Sequence, residues 1–179
     1  ISLWNQGRLQ DALVAAREAF AMVEALPAED RDRLSVESTL ASMEAATGNP
    51  EVARQRFQRV LALQRKLFGN DSEDVQASID SLSSVDIDTA RFDEARSLLE
   101  ELLATRRAKY GDEQSRTFAA INGLAIIALE QKRFADAEKL LAPQLPLIER
   151  IFGKDHPIAL RLISNLGGAI RQQDRNEDA

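Results

Sequence analysis

An all-α array of antiparallel helix pairs is the fold class this sequence predicts, on three observations. A phrase of a ring, a glycine and then acidic or polar residues recurs at Phe68-Gly69-Asn70-Asp71, Tyr110-Gly111-Asp112-Glu113 and Phe152-Gly153-Lys154-Asp155, 42 residues apart each time. Further positions keep that step: Leu40, Leu82, Leu124 and Leu166; Ala53, Ala95, Ala137 and Ala179; Ile79, Ile121 and Ile163. The composition suits helices, with 8 glycines, 5 prolines and abundant Ala, Leu, Glu and Arg, and no strand-like alternation competes. A fixed period of this length marks a repeat protein, whose units bury their apolar faces on their neighbours.

The elements follow in order. Residues 1–6 read as the last turns of a helix, and Gly7 to Ala12 as a tight turn into a second helix over about 10–26, with Ala12, Ala16, Phe20 and Val23 at helical spacing. Leu26-Pro27 is a degraded copy of the recurring phrase, in a unit one residue short, since Ala12 and Ala53 are 41 apart. The next helix spans about 31–47. Gly48-Asn49-Pro50 signals a turn, with Pro50 suited to a first helical turn. Helices then follow at about 51–68, 72–89, 92–110, 114–131, 134–152 and 157–172, and residues 173–179 open another turn. At each joint the glycine is expected to close one helix in the left-handed conformation, while the polar residues behind it cap the next. The domain reading is a single array over 1–179, with repeats at about 28–69, 70–111 and 112–153 and partial ones at 1–27 and 154–179. Ile1 in place of Met, with partial units at both ends, predicts a piece of a longer polypeptide. Trp4, the lone tryptophan, is expected to pack on a preceding repeat.

Each first helix carries a leucine followed by a small residue: Leu40-Ala41, Leu82-Ser83, Leu124-Ala125 and Leu166-Gly167. The small residue lets the paired helix approach, and the alanines at 53, 95 and 137 serve the same closeness from the other side. Pro143 and Pro146 fall inside the helix over 134–152, where proline removes donors and clashes with the preceding turn, so a kink or break is expected.

Composition also excludes functions. The net charge is −6 without an isolated basic run, which argues against nucleic acid as a partner. No apolar run reaches membrane-spanning length, no signal peptide is visible, and a cytoplasmic location is expected. With no cysteine and one histidine, a thiolate or His/Cys metal site and a cysteine nucleophile are ruled out. His156 precedes Pro157 at a helix start and reads as a cap, not as part of a Ser-His-Asp triad. Gly167-Gly168 lies mid-helix and is no phosphate loop. No catalytic residue, metal ligand or cofactor site is expected, and the chain reads as a non-enzyme.

Ile121-Asn122-Gly123-Leu124-Ala125, Lys132-Arg133-Phe134-Ala135-Asp136-Ala137-Glu138 and Phe152-Gly153-Lys154-Asp155-His156-Pro157 resemble the tetratricopeptide repeat, in the 42-residue variety of kinesin light chains. There the pattern runs Leu-Asn-Asn-Leu-Ala, Gly-Lys-Tyr-x-Glu-Ala-Glu and Leu-Gly-x-x-His-Pro. This chain departs from it. The paired asparagines survive as Asn122 and Asn165 alone, and the aromatic later in the first helix becomes Glu44, Asp86, Ala128 and Ile170.

The resemblance implies a right-handed α-α superhelix whose first helices line a concave groove. Helical spacing from the Leu-small pair then offers Ser35, Ser38, Ser42, Asp80, Ser84, Asp88, Asn122, Ile126, Glu130, Arg161, Ser164 and Arg171 as groove-facing residues. The groove would be serine-rich early, acidic in the middle and basic at its end. A carboxylate clamp needs converging cations from several helices, and only Arg161 and Arg171 qualify, both on one helix. The expected function is a protein- or peptide-binding scaffold, part of a larger signalling protein, with an acidic middle suited to a basic or neutral segment. The alternatives are a sensor domain that controls an attached kinase or transcription regulator through superhelix curvature, and end-to-end self-association.

Overall fold

The computed structural model describes the backbone of residues 3–177 and the side chains of residues 7–173. Nine α-helices occupy the described residues: α1 (Leu3–Val23), α2 (Arg31–Ala46), α3 (Pro50–Phe68), α4 (Glu73–Asp88), α5 (Phe92–Tyr110), α6 (Ser115–Glu130), α7 (Phe134–Leu141), α8 (Leu145–Phe152) and α9 (Pro157–Glu177). Among the described residues there is no strand. Helices α1 to α4 make one compact unit ending at Arg91, and α5 to α9 make a second beginning at Phe92. Within each unit, helices adjacent in sequence pack on one another across short connections.

The helix starts share one register. Asp30, Ser72, Gln114 and His156 stand 42 apart, each just before a first helix. The Asp30 carboxylate accepts the N–H groups of Asp32 and Arg33 at 2.9 and 3.1 Å. Ser72 Oγ accepts the Val75 N–H at 3.3 Å, and His156 Nδ1 accepts that of Ile158 at 3.3 Å. Each satisfies an N–H that the first turn leaves unpaired. His156 also stacks on Phe152, with ring centroids 4.9 Å apart, so the lone histidine is held as a structural cap.

The helix ends use two backbone devices, again at a step of 42. Between first and second helices, Gly48, Ala90 and Lys132 take φ of 87°, 57° and 58°. The N–H of the following residue, Asn49, Arg91 or Arg133, returns to the carbonyl five residues back at 2.9, 2.7 and 2.8 Å. This is the Schellman closure, which favours glycine. Two of the three positions hold side chains where the left-handed conformation costs about 1–2 kcal/mol. Ala90→Gly and Lys132→Gly should therefore each raise the unfolding free energy by about 0.5 kcal/mol, the gain being partly offset by glycine's freer unfolded chain. Urea titration checks this.

The second device closes the second helices and differs from expectation. Gly69 and Gly153 have φ of 80° and 89° but ψ of 160° and 158°. This is the extended positive-φ region that only glycine adopts readily, not the left-handed helical one. It turns the chain sharply enough for the next cap to follow within three residues.

Three other expectations are corrected. The chain does not turn at Gly7: α1 is continuous from Leu3 and ends at Val23. Gly7 holds the register of Gly48, yet its backbone continues the helical ladder of α1. The turn expected in 173–179 is absent up to Glu177, where α9 is still helical. The break expected from the two prolines is present: the stretch over 134–152 is two helices, α7 and α8, joined by a 3₁₀ turn at Ala142–Gln144 that contains Pro143, with Pro146 in the first turn of α8. Finally, Gly167 is not a close-packed small residue, since a Cβ there would meet no atom within 4 Å, whereas one at Gly123 would stand 2.8 Å from Leu99 Cδ1. The Trp4 side chain and Ala179 lie outside the described residues.

In the first unit Leu13, Ala16 and Leu40 join α1 to α2, while Ala53, Phe57 and Val60 bury the inner face of α3. That core also contains acids. Glu37, Glu44 and Asp86 are 2%, 5% and 1% exposed. Arg56 Nε reaches Glu44 at 2.8 Å and Arg54 Nε reaches Asp86 at 2.5 Å, while Arg59 pairs with Glu37. A buried carboxylate survives only with such partners. In the second unit Phe118, Ala125, Leu141, Ile148, Ala159 and Leu162 form one cluster drawn from α6, α7, α8 and α9. Ala128, Ala137 and Ala169 form another, where three helices meet through methyl groups.

Candidate protein-binding grooves

In the first unit the first helices α2 and α4 flank two adjoining depressions. One, of about 330 Å³, is lined by Ser35, Ser38, Thr39 and Ser42 of α2, Ala77, Ser78 and Ser81 of α4, and Gln64 and Phe68 of α3. Arg31 and Asp74 close its rim with an ion pair of 2.7 Å, and the Arg31 guanidinium lies 5.3 Å from the Phe68 ring centroid. The other, of about 580 Å³, carries Ser42, Ala45, Pro50, Asp80, Ser81, Ser84 and Asp88. Of the residues expected from the sequence, Ser38, Asp80, Ser84 and Asp88 are thus brought together, with Ser35 and Ser42 beside them.

Four hydroxyls of this surface are committed to their own scaffold. Ser38 Oγ donates to the Leu34 carbonyl at 3.0 Å, Thr39 Oγ1 to Ser35 at 3.1 Å and Ser42 Oγ to Ser38 at 3.0 Å. Ser78 Oγ donates to Gln64 Oε1 at 2.6 Å. A hydroxyl that spends its proton on the helix presents lone pairs to whatever lies outside. With the carboxylates of Asp80 and Asp88 beyond them, this groove offers chiefly acceptors.

In the second unit α6 and α9 flank a smaller depression of about 130 Å³, lined by Ser115, Phe118, Ala119, Asn122, Ile148, Ile158, Arg161 and Leu162. Asn165 Nδ2 donates to Asn122 Oδ1 at 2.9 Å, tying the two helices at the groove surface. Of the expected residues, Asn122 and Arg161 line this depression. Ile126 and Glu130 lie on α6 and Ser164 and Arg171 on α9, outside its lining. Glu130, Arg161, Ser164 and Arg171 are exposed and Ile126 is half-buried. Arg171 Nε donates to the Gly167 carbonyl of its own helix at 3.3 Å.

Sequence reasoning missed the floors of both grooves. Gln64, Phe68 and Ile148 come from neighbouring elements, and first-helix spacing alone does not reach them. Away from the grooves, the Arg133 side chain hydrogen-bonds Asp136 at 2.8 Å and holds its carboxyl below the usual carboxylate range, with a smaller contribution from Lys139. That pair belongs to the first turn of α7. Among the described residues no cluster of His, Cys, Asp and Glu could hold a metal ion, and no helix is long and apolar enough to cross a membrane.

The family model for the tetratricopeptide repeat matches three overlapping stretches, residues 32–108, 75–142 and 116–179. Among solved structures, the kinesin light chain TPR-like repeats of Podosopora anserina align with a TM-score of 0.81 at 22% identity, over 97% of this chain and 83% of theirs. A single-substitution form of that protein gives a TM-score of 0.82 at 22% identity, over 97% of this chain and 82% of its own. BtubC (BKLC) from P. vanneervenii gives 0.80 at 18% identity, over 96% and 68%. At these identities the likeness is one of fold. No curated protein sequence matches the chain.

Proposed function

Because the chain belongs to the tetratricopeptide repeat family, we propose that it is a protein-binding scaffold whose α2–α4 groove holds an extended segment of a partner protein. Repeats of this family generally act as platforms for protein–protein interaction and are typically not enzymes. The observation that carries the reading is the acceptor-rich lining between α2 and α4. The Ser38, Thr39 and Ser42 hydroxyls are bonded to their own helix, and Asp80 and Asp88 stand at one end. Such a surface favours a segment rich in donors, with lysine, arginine or amide side chains. It disfavours carboxylates, which Asp80 and Asp88 would repel.

Fluorescence anisotropy with a labelled basic peptide and its acidic counterpart, at several salt concentrations, tests this. The basic peptide should bind more tightly, with an advantage that shrinks as salt rises. Asp80→Lys combined with Asp88→Lys should weaken it about tenfold, or roughly 1.4 kcal/mol. Tighter binding of the acidic peptide would overturn the proposal.

A further inference from the structure

We infer that the floor of the α2–α4 groove receives one primary carboxamide, the side chain of a glutamine or asparagine in the bound segment. This rests on the groove being the binding site and names what its deepest point selects. Gln64 of α3 and Ser78 of α4 line the depression of about 330 Å³ and are 5% and 3% exposed. Ser78 Oγ donates to Gln64 Oε1 at 2.6 Å. Its proton is thereby spent and its lone pairs remain. The Gln64 amide nitrogen has no acceptor among the described residues, yet it is not sealed in the interior. It therefore opens onto the depression that its side chain lines, with N–H groups to donate.

Packing does not demand this polar pair. Ile148 and Leu162 stand two steps of 42 after Gln64 and Ser78. They line the depression of the second unit and are 0% and 4% exposed. There the same two register positions hold aliphatic side chains. The repeat thus builds this floor with or without polar groups. In the first unit it sets a donor beside an acceptor at a buried point, where leaving either unmet is costly.

A donor beside an acceptor is matched by a group that carries both on one edge. A primary carboxamide does: its carbonyl accepts from Gln64 Nε2 while its own amide nitrogen donates to Ser78 Oγ. A trans peptide bond does not, because its N–H and C=O point in opposite directions. A carboxylate would set one oxygen against the Ser78 lone pairs. An ammonium or guanidinium would set its donors against those of Gln64. Turning the Gln64 amide end for end exchanges the two roles and leaves the demand for a carboxamide unchanged. Phe68 and Ala77 supply apolar wall for the methylenes of the incoming side chain.

NMR titration of the whole isotope-labelled chain with the uncharged peptide acetyl-Gly-Gln-Gly-N-methylamide, and with its Met and Glu counterparts, tests this. The glutamine peptide should bind about fivefold more tightly than either counterpart. It should also shift the signals of the Gln64 side-chain amide. Gln64→Met combined with Ser78→Ala, which strands no polar group, should abolish the preference for glutamine over methionine. Asp80→Lys combined with Asp88→Lys should leave that preference in place, since neither of those probes is charged. Equal affinity of the wild-type chain for the glutamine and methionine peptides, or unmoved Gln64 signals, overturns the inference without any variant. So does a Gln64→Met/Ser78→Ala variant that urea titration shows to be folded and that keeps the preference. A chain that prefers glutamine here but does not prefer the basic peptide would overturn the proposed function and leave the selectivity of the floor standing, so the two failures are told apart.

Discussion

Arg56→Leu should lower the unfolding free energy of the chain by about 3 kcal/mol. Arg56 is the hub of the first unit: it bonds Glu44 at 2.8 Å, stands 3.7 Å from Glu37 and lies 5.4 Å from the Phe20 ring centroid. Through these contacts α3 is tied to α2 and α1. Removing the guanidinium strands the Glu44 carboxylate in a site where its side chain is only 6% exposed. The loss falls at the lower end for buried pairs because Arg59 continues to neutralise Glu37. Adding Glu44→Leu should recover most of that loss, leaving the double variant within about 1 kcal/mol of the parent, since an apolar pair of similar volume avoids desolvation altogether. Urea titrations of the two single variants and the double variant measure both effects. A double variant no more stable than Arg56→Leu would show that the site needs the charges themselves.

Ile148→Ala should cost about 2–5 kcal/mol, the range for truncating a core aliphatic. Helix α8 is a short piece between the proline break and Gly153, and Ile148 is its only fully buried residue. Its side chain, 0% exposed, fills the centre of the cluster shared by α6, α7, α8 and α9. It also forms part of the floor of the second-unit groove. Amide exchange in α8 should quicken more than that in α5, because α8 has no other buried anchor. Ile148→Val, which removes one methyl, should cost about 1 kcal/mol. Equal costs for the valine and alanine variants would mean that the cluster collapses around the missing atoms.

Most of the fold was legible because its signals are local. A ring, a glycine and a capping residue within five positions specify a joint, and the step of 42 between joints says how many there are. What stayed hidden depends on the neighbourhood in space. Gly7 and Gly48 look alike in sequence, yet only Gly48 turns the chain. Ala90 and Lys132 give no sign of a positive φ, because the Schellman closure is imposed by the helices it joins. The acids are the clearest case. Charge on a helix is solvated by default, and Glu37 and Asp86 are buried because Arg59 and Arg54, distant in sequence, come to meet them. The candidate grooves were legible in their walls, which follow first-helix spacing, and hidden in their floors, which Phe68 supplies in the first unit and Ile148 in the second.

The approach of Leu99 to Gly123 bears on redesign. The kinesin light chain pattern carries asparagine at the position of Gly123, and restoring it would be an obvious consensus substitution. A Cβ at 123 would stand 2.8 Å from Leu99 Cδ1 and 3.3 Å from its Cδ2, and Leu99 is itself confined at 4% exposure. Consensus at one helix is therefore incompatible with the residue retained at the other. The two positions form a coupled pair, to be exchanged together with a smaller side chain at 99, and homologues with asparagine at 123 should carry such a residue opposite it.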